Sequence, residues 1–182
     1  RRTFIIFSMD HIALGWLFSR QVVSAIMGVA HGALNKRRQC MLSIPQDVAL
    51  ILRLLRQAGH LAYVVGGCVR DALLGRTPKD WDICTSATPE EMQRIFSGYH
   101  VVETGLKHGT LTVVLHHVPY EVTTFRVEEG YADHRHPDQV RFVHNVREDL
   151  ARRDFTVNAM ALSQNGKIID PYGGRADLKK RI

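Results

Sequence analysis

Residues 61–75 read LAYVVGGCVRDALLG and predict the turn around which the rest of the fold is organised. The apolar run 61–65 is typical of a buried strand, and it stops at Gly66-Gly67. Residues 69–74 then predict a short helix that Gly75 ends. A double glycine between a strand and a helix lets the backbone approach a ligand closely, and its amides can bind phosphate oxygens. For the glycines alone, an ordinary strand-to-helix turn remains the alternative.

Two aspartates follow this turn at a spacing that favours metal binding. Asp80 and Asp82 lie in residues 80–84, a second strand candidate, where positions i and i+2 point to the same face roughly 7 Å apart. Two carboxylates placed in this way can share a hard cation, and oxygen-only ligation suits Mg²⁺. The alternative is a solvated pair at a turn. On one sheet face, however, the two charges repel unless a cation or an arginine neutralises them.

Glu121 is the candidate third carboxylate. It lies in residues 120–125, which predict a strand paired in an antiparallel hairpin with residues 111–115. The alternative is a glutamate that simply faces water. Phosphoryl-type transfer that uses two metal ions about 4 Å apart needs more anionic ligands than one aspartate pair supplies, which favours the third ligand.

The remaining pattern predicts a mixed α+β domain. Capping by Ser43 and apolar residues at helical spacing predict a first helix that Gly59 ends, and residues 88–91 predict the start of another helix. The other expected elements are a loop over residues 128–139, a strand at 140–143, helical periodicity over 148–162 and a last strand at 167–170. The order of these elements is not a regular βαβ series.

Charge and length separate the chain into two parts. The 182 residues suffice for one compact domain, and the net charge is +6. Residues 1–40 contribute +5 of that charge, so residues 41–182 are nearly neutral and the composition alone does not indicate RNA binding. Three cysteines without a CxxC pair favour a reducing compartment, and hence the cytoplasm, over a disulfide framework or a zinc site.

Residues 1–40 form a separate extension whose role the sequence does not reveal. Charged residues and histidines interrupt its apolar run, so no membrane span of roughly 20 residues is expected. Its arginine-rich composition weakly resembles a mitochondrial transit peptide, whereas a segment upstream of a natural start at Met41 is the simpler expectation.

From Met41 onward the sequence resembles the class II tRNA nucleotidyltransferase and bacterial poly(A) polymerase superfamily. The motifs that carry the resemblance occur in the family's order and at its spacings. They are VGGCVRDALLG (65–75), KDWDI (79–83), KHGT (107–110), EVTTFR (121–126), DLARRDFTVNA (149–159) and DPYGG (170–174). The resemblance implies a polymerase β-like head domain over residues 41–182, with a small mixed sheet backed by helices. It also implies that the neck, body and tail of this family lie outside the chain.

The resemblance also assigns roles to individual residues. Asp80 and Asp82 match the metal-binding pair, and Glu121 matches the third carboxylate of the active site. The positions implied to bind the nucleotide are Gly66, Gly67, Arg70, Arg153, Asp154 and Asn158. For Arg152 a solvated helix face remains acceptable. Trp81 is bulkier than the residue expected between the aspartates, but it points to the opposite face.

The implied reaction is Mg²⁺-dependent transfer of nucleotides from CTP and ATP to the 3′-hydroxyl of tRNA. The motif that selects the base lies beyond Ile182 in this family. A poly(A) polymerase acting on RNA 3′ ends therefore remains an alternative, as do enzymes that add only CC or only A. A non-catalytic nucleotide- or RNA-binding head is a rival from another class, and a head that is inert by itself is also possible.

Overall fold

The computed structural model describes residues 44–103, 105–129 and 139–181. The extension predicted over residues 1–40, the capping role of Ser43 and the core of the predicted loop at 130–138 lie outside the described residues. The first described helix has Pro45 at its N-cap, with no capping hydrogen bond from a side chain.

Short helices and strands alternate irregularly along the described chain. The helices are α1 (Gln46–Gln57), α2 (Gly67–Leu73), α3 (Pro89–Ile95), α4 (Val146–Ala151) and α5 (Gly174–Lys180), with 3₁₀ turns at Leu106–His108 and Thr156–Asn158. The strands are β1 (Ala62–Val65), β2 (Asp82–Thr85), β3 (His100–Val102), β4 (Thr110–Leu115), β5 (Val118–Thr124), β6 (Arg126–Glu129), β7 (Gln139–Phe142), β8 (Ala161–Leu162) and β9 (Ile168–Ile169).

Seven strands form one mixed sheet in the order β3-β4-β5-β2-β1-β8-β9, and β6 pairs with β7 in a separate ribbon. The pair β2–β5 is parallel and the other neighbouring pairs are antiparallel. The parallel pair places two strands that are distant in sequence side by side at the centre of the sheet. A mixed sheet with helices confirms the predicted α+β class.

The central strands of the sheet are buried on both faces. On one face, α1 and α3 pack their apolar sides, including Ile51, Leu55 and Met92, against alternate strand residues such as Val64. On the other face, α4 and the ribbon cover the residues that point the opposite way. This second core consists of Val65, Cys84, Phe125, Val143, Val146, Leu150, Ala159 and Ala161. Neither core covers the end of β1 and the start of β2 completely, because Asp82 at the start of β2 is exposed.

Several predicted elements are confirmed. The strand at 61–65 and the hairpin of β4 and β5 are present, and Thr88 begins α3 with a capping box to Glu91. The hairpin turn consists of His116 and His117 alone, both at positive φ, so β5 begins two residues earlier than predicted.

Other boundaries were predicted wrongly. Asp80 and Trp81 precede β2, which begins at Asp82, and α2 begins at Gly67. Residues 148–162 do not form one helix, because α4 ends at Ala151 and a 3₁₀ turn and β8 follow.

Three further elements, β3, β6 and α5, were not predicted. Within the described ranges, no helix is both long and apolar enough to cross a membrane.

Candidate active site

The end of β1, the start of β2 and the middle of β5 lie side by side and bring Asp82 and Glu121 together. Val65, at the end of β1, lies opposite Asp82 in the antiparallel ladder. In the parallel ladder Ile83 lies opposite Val122, so one residue back along both strands Asp82 and Glu121 occupy neighbouring positions on the same face. Residues far apart in sequence therefore meet beside the Gly66-Gly67 turn.

The carboxylate of Asp82 is partly shielded from water and has other acids as neighbours. Its pKa is raised, first because neighbouring protein atoms displace part of the water around the carboxylate, and second because the negative charge of Glu121 lies close. Arg153 opposes the shift, and Asp80 adds to it. The residue as a whole is exposed, as are Asp80 and Glu121, so the three acids line an open surface.

The acids are near one another without forming a closed coordination shell. Among the described residues, no three His, Cys, Asp or Glu side chains are already grouped closely enough to hold a metal ion. The donors available are nevertheless all carboxylate oxygens, and Mg²⁺ usually keeps several waters and takes only one or two carboxylates from the protein. The donor chemistry and the mutual repulsion at Asp82 therefore fit a divalent cation.

Gly66 makes room for two charged groups. Its φ is +82°, and a Cβ at this position would lie 3.1 Å from Nη1 of Arg153 and 3.6 Å from Oδ2 of Asp82. Its own amide donates to the carbonyl of Met160 at 3.3 Å. Gly66 therefore contributes space and a turn, and it does not offer a free amide as the sequence-based interpretation expected.

Arg70 is oriented by two side-chain contacts. Its Nη1 donates to Oδ1 of Asn158 at 2.8 Å, and its Nε donates to Oδ1 of Asp71 at 3.0 Å. Nη2 lies 3.5 Å from the Cβ position of Gly67, at the start of α2. Asn158, predicted to hold the nucleotide, thus holds the arginine beside the glycine turn.

Arg152 and Arg153 follow the end of α4 and have different second contacts. Arg152 donates to Asp149 at 3.2 Å and to Glu128 at 3.0 Å, so it is not the solvated residue that the sequence allowed. Arg153 lies against Gly66 and pairs with Asp149 at 3.6 Å. Asp154, the next residue, is exposed.

The DPYGG motif supports the turn that carries Asn158. Asp170 accepts hydrogen bonds from the amides of Gly174 and Arg175, at 2.7 and 3.0 Å, and so begins α5. A Cβ on Gly174 would lie 2.2 Å from the carbonyl oxygen of Thr156. Only glycine lets α5 pack this closely on the 3₁₀ turn that carries Asn158.

Sequence reasoning missed Asp149 and gave no role to Cys68. Asp149 is fully buried, although it lies in a charged segment that resembles a solvated helix. The arginines at i+3 and i+4 are the signal that could have identified it. The Cys68 thiol donates to the carbonyl of Val65, and burial raises its pKa to about 11, so it stays protonated and non-nucleophilic near neutral pH.

Comparison with known proteins adds family evidence. The profile of the Poly A polymerase head domain family matches residues 62–182. The CCA-adding enzyme of Lactobacillus delbrueckii subsp. bulgaricus is 53% identical over 132 residues, which are 72% of this chain and 33% of that protein. The CCA-adding enzyme of Geobacillus kaustophilus is 51% identical over 139 residues, 76% of this chain and 34% of that protein. The chain thus spans about a third of the length of the curated relatives it matches.

Solved structures agree with the sequence relatives. The Bacillus stearothermophilus CCA-adding enzyme in complex with CTP matches with a TM-score of 0.66 and 46% identity, over 75% of this chain and 32% of that chain. A tRNA nucleotidyltransferase complexed with a primer tRNA and an incoming ATP analogue matches with a TM-score of 0.52 and 33% identity, over 71% and 36%. These similarities extend the family match from sequence to fold.

Proposed function

The chain belongs to the Poly A polymerase head domain family, and from this premise we propose that it is the catalytic head of an enzyme that adds nucleotides to the 3′ end of tRNA. One observation carries the proposal. Asp82 and Glu121 meet on adjacent strands, within electrostatic reach of Asp80, beside the Gly66 turn and Arg153. CCA-adding enzymes that are about half identical to this chain support tRNA as the substrate.

In this proposal Asp80 and Asp82 are the metal ligands, with Glu121 as the third carboxylate. Mg²⁺ is the expected cation because the donors are hard oxygens, and when bound it supplies charge neutralisation and activation of an oxygen nucleophile. Crowding of acids around Asp82 supports the assignment, since a cation at this position relieves their repulsion.

The arginines and glycines are proposed to hold the triphosphate. Gly67 gives the phosphates close access to the backbone, and the guanidinium groups of Arg70 and Arg153 offset their negative charge. Asn158 acts by fixing Arg70, with which it shares a hydrogen bond of 2.8 Å. Asp154, exposed beside Arg153, is the remaining candidate for a contact with the nucleotide.

The proposed chemistry is a single displacement. The 3′-hydroxyl of the RNA attacks the α-phosphorus of CTP or ATP, a new phosphodiester bond forms, and pyrophosphate leaves. Holding the triphosphate in one orientation and matching its charge are the contributions expected from these side chains. No covalent intermediate with the protein is required.

We further propose a head domain over residues 41–182 in a cytoplasmic protein, with residues 1–40 as a separate extension. Cys68 and Cys84 are both free and buried, which is compatible with a reducing compartment.

The test is nucleotide incorporation by the protein that carries this chain. tRNA lacking its 3′ CCA is incubated with Mg²⁺ and with CTP, ATP, GTP or UTP, singly and together, and the products are sequenced. The proposal predicts C, C and A in that order. Untemplated addition of A to any RNA would instead identify a poly(A) polymerase, addition of only CC or only A would identify a partial enzyme, and no addition would favour a non-catalytic head.

A further inference from the structure

A fully buried carboxylate lies behind the candidate site. Asp149, at 0% exposure, accepts hydrogen bonds at Oδ1 from the amide of Arg126 and from Nε of Arg152, both at 3.2 Å. Its Oδ2 accepts no hydrogen bond within the part of the chain that the structure describes. The nearest partner of this second oxygen is Nη2 of Arg153, at 3.6 Å.

A buried carboxylate needs positive charge nearby, because water cannot solvate it. Arg152 is shared between Asp149 and Glu128, which also pairs with Arg126 at 3.1 Å. Arg153 differs, since among the described residues Asp149 is its one ion-pair partner. Within the described residues, the charge of Asp149 is therefore the one that pairs directly with Arg153.

The guanidinium of Arg153 has two ends with different surroundings. Nη2 faces the buried Asp149, whereas Nη1 lies 3.1 Å from the Cβ position of Gly66, on the side of Asp82. Nε is buried and makes no hydrogen bond to any described residue. Asp149 and Gly66 thus lie at opposite ends of this planar group.

We propose that Asp149 is a positioning residue that fixes the Arg153 guanidinium against the glycine turn, and so sets the affinity for the triphosphate of the incoming nucleotide. The inference rests on the proposed function, because it takes the ligand to be a nucleoside triphosphate. Asp149 touches neither substrate nor metal, and it acts through Arg153. Glu128 belongs to the same charge network, in which it pairs with Arg126 and Arg152.

Asp149→Asn is the direct test, because it keeps the shape of the side chain and removes the charge. In the protein that carries this chain, the dissociation constant and KM for CTP are expected to rise about tenfold, as misplacement of one charged group allows, with kcat changing less. Affinity for cytidine, which has no phosphate, is expected to stay unchanged. Glu128→Gln is the matched control, and its dissociation constant for CTP is expected to stay within about twofold of wild type.

A double-mutant cycle separates positioning from a general structural role. If Asp149 acts through Arg153, Asp149→Asn adds less than about twofold to the weakening of CTP binding already caused by Arg153→Gln. Losses that multiply fully would overturn the inference, and so would unchanged CTP affinity in Asp149→Asn. All assays are run below the unfolding temperature of the least stable variant.

A measurement on the wild type decides the matter even if Asp149→Asn does not fold. The side-chain NMR signals of Arg153, assigned by comparison with Arg153→Gln, are expected to show restricted rotation of the guanidinium without nucleotide. Free rotation would contradict the inference. A wild type that binds CTP but incorporates nothing would contradict only the proposed function.

Discussion

Two carboxylates on the same side of the sheet differ in their burial and in the charge of their neighbours. Asp82 is exposed at a strand end, and its pKa is raised first by partial loss of water around the carboxylate and then by the like charges of Glu121 and Asp80. Asp149 is fully buried and is surrounded by Arg152, Arg153 and a backbone amide. Arg153 lies between the two aspartates and interacts with both.

The difference shows that buried and exposed acids have separate roles in this fold. Buried charge is compensated inside the domain and fixes the geometry of an arginine. Exposed charge is left in excess, which costs stability in the absence of a cation and favours the cation site that we propose at these acids. The two regions should therefore respond oppositely when a carboxylate is removed.

The largest effect is expected for Asp149→Ala. Removing the buried anion takes from Arg153 its one ion-pair partner among the described residues and from Arg152 one of its two, so the free energy of unfolding should fall by about 3–5 kcal/mol. Chemical denaturation monitored by circular dichroism measures this change. The adjacent Glu148 is exposed in the first turn of α4, and Glu148→Ala should cost less than about 1 kcal/mol. Equal losses in the two variants would contradict the comparison.

Gly66→Ala should lower the free energy of unfolding by an intermediate amount, because Gly66 lies beside both Arg153 and Asp82. A Cβ would strain a backbone at φ +82° and crowd Nη1 of Arg153, at a cost of about 1–3 kcal/mol and with weaker CTP binding. Gly98 is the matched control, because a Cβ there would meet nothing within 4 Å. Gly98→Ala should leave both stability and CTP affinity unchanged, and wild-type behaviour of Gly66→Ala would show that the turn tolerates a side chain.

The smallest effect should have the opposite sign. Because the pKa of Asp82 is raised in the folded state, its ionised form opposes folding at neutral pH. Asp82→Asn should therefore stabilise the metal-free protein. The gain is limited by solvent screening to about 0.5 kcal/mol, or roughly 1–2 °C in Tm.

Mg²⁺ sharpens this prediction. Thermal unfolding of the wild type should shift upward with Mg²⁺ but not with K⁺ at equal ionic strength, and the shift should be lost in Asp82→Asn. A variant less stable than the metal-free wild type would show that Asp82 is not under repulsion.

Much of the fold was predictable where apolar runs were strong. The strand before Gly66, the helix capped by Thr88 and the hairpin of β4 and β5 have continuous apolar or β-branched residues or an explicit cap. The missed strands are different, because β3 has only three residues and β6 is largely charged. Tertiary pairing stabilises such strands, and local composition does not indicate it.

The sequence indicated which residues form the candidate site, but it did not indicate which of them contact one another. The sequence pattern predicted roles for Asp82, Glu121 and Arg70, and the family resemblance added Arg153. The parallel pairing of β2 with β5, which joins Asp82 and Glu121, is a non-local contact. Asp80 was predicted within the strand and lies before it, since the strand begins only where Asp82 pairs with Val65. The burial of Asp149 depends on packing among α4, β6 and the sheet, which a charged helical sequence does not reveal.

The most direct measurement is the rate of CMP incorporation into tRNA lacking CCA by the wild type and by Asp80→Ala and Asp82→Ala, with Mg²⁺ present. If these acids hold the cation, each variant should lose at least about 10³-fold in rate, equivalent to roughly 4 kcal/mol, while its circular dichroism spectrum stays unchanged. Incorporation within tenfold of the wild-type rate by either folded variant would contradict the assignment of the exposed acids as the metal site.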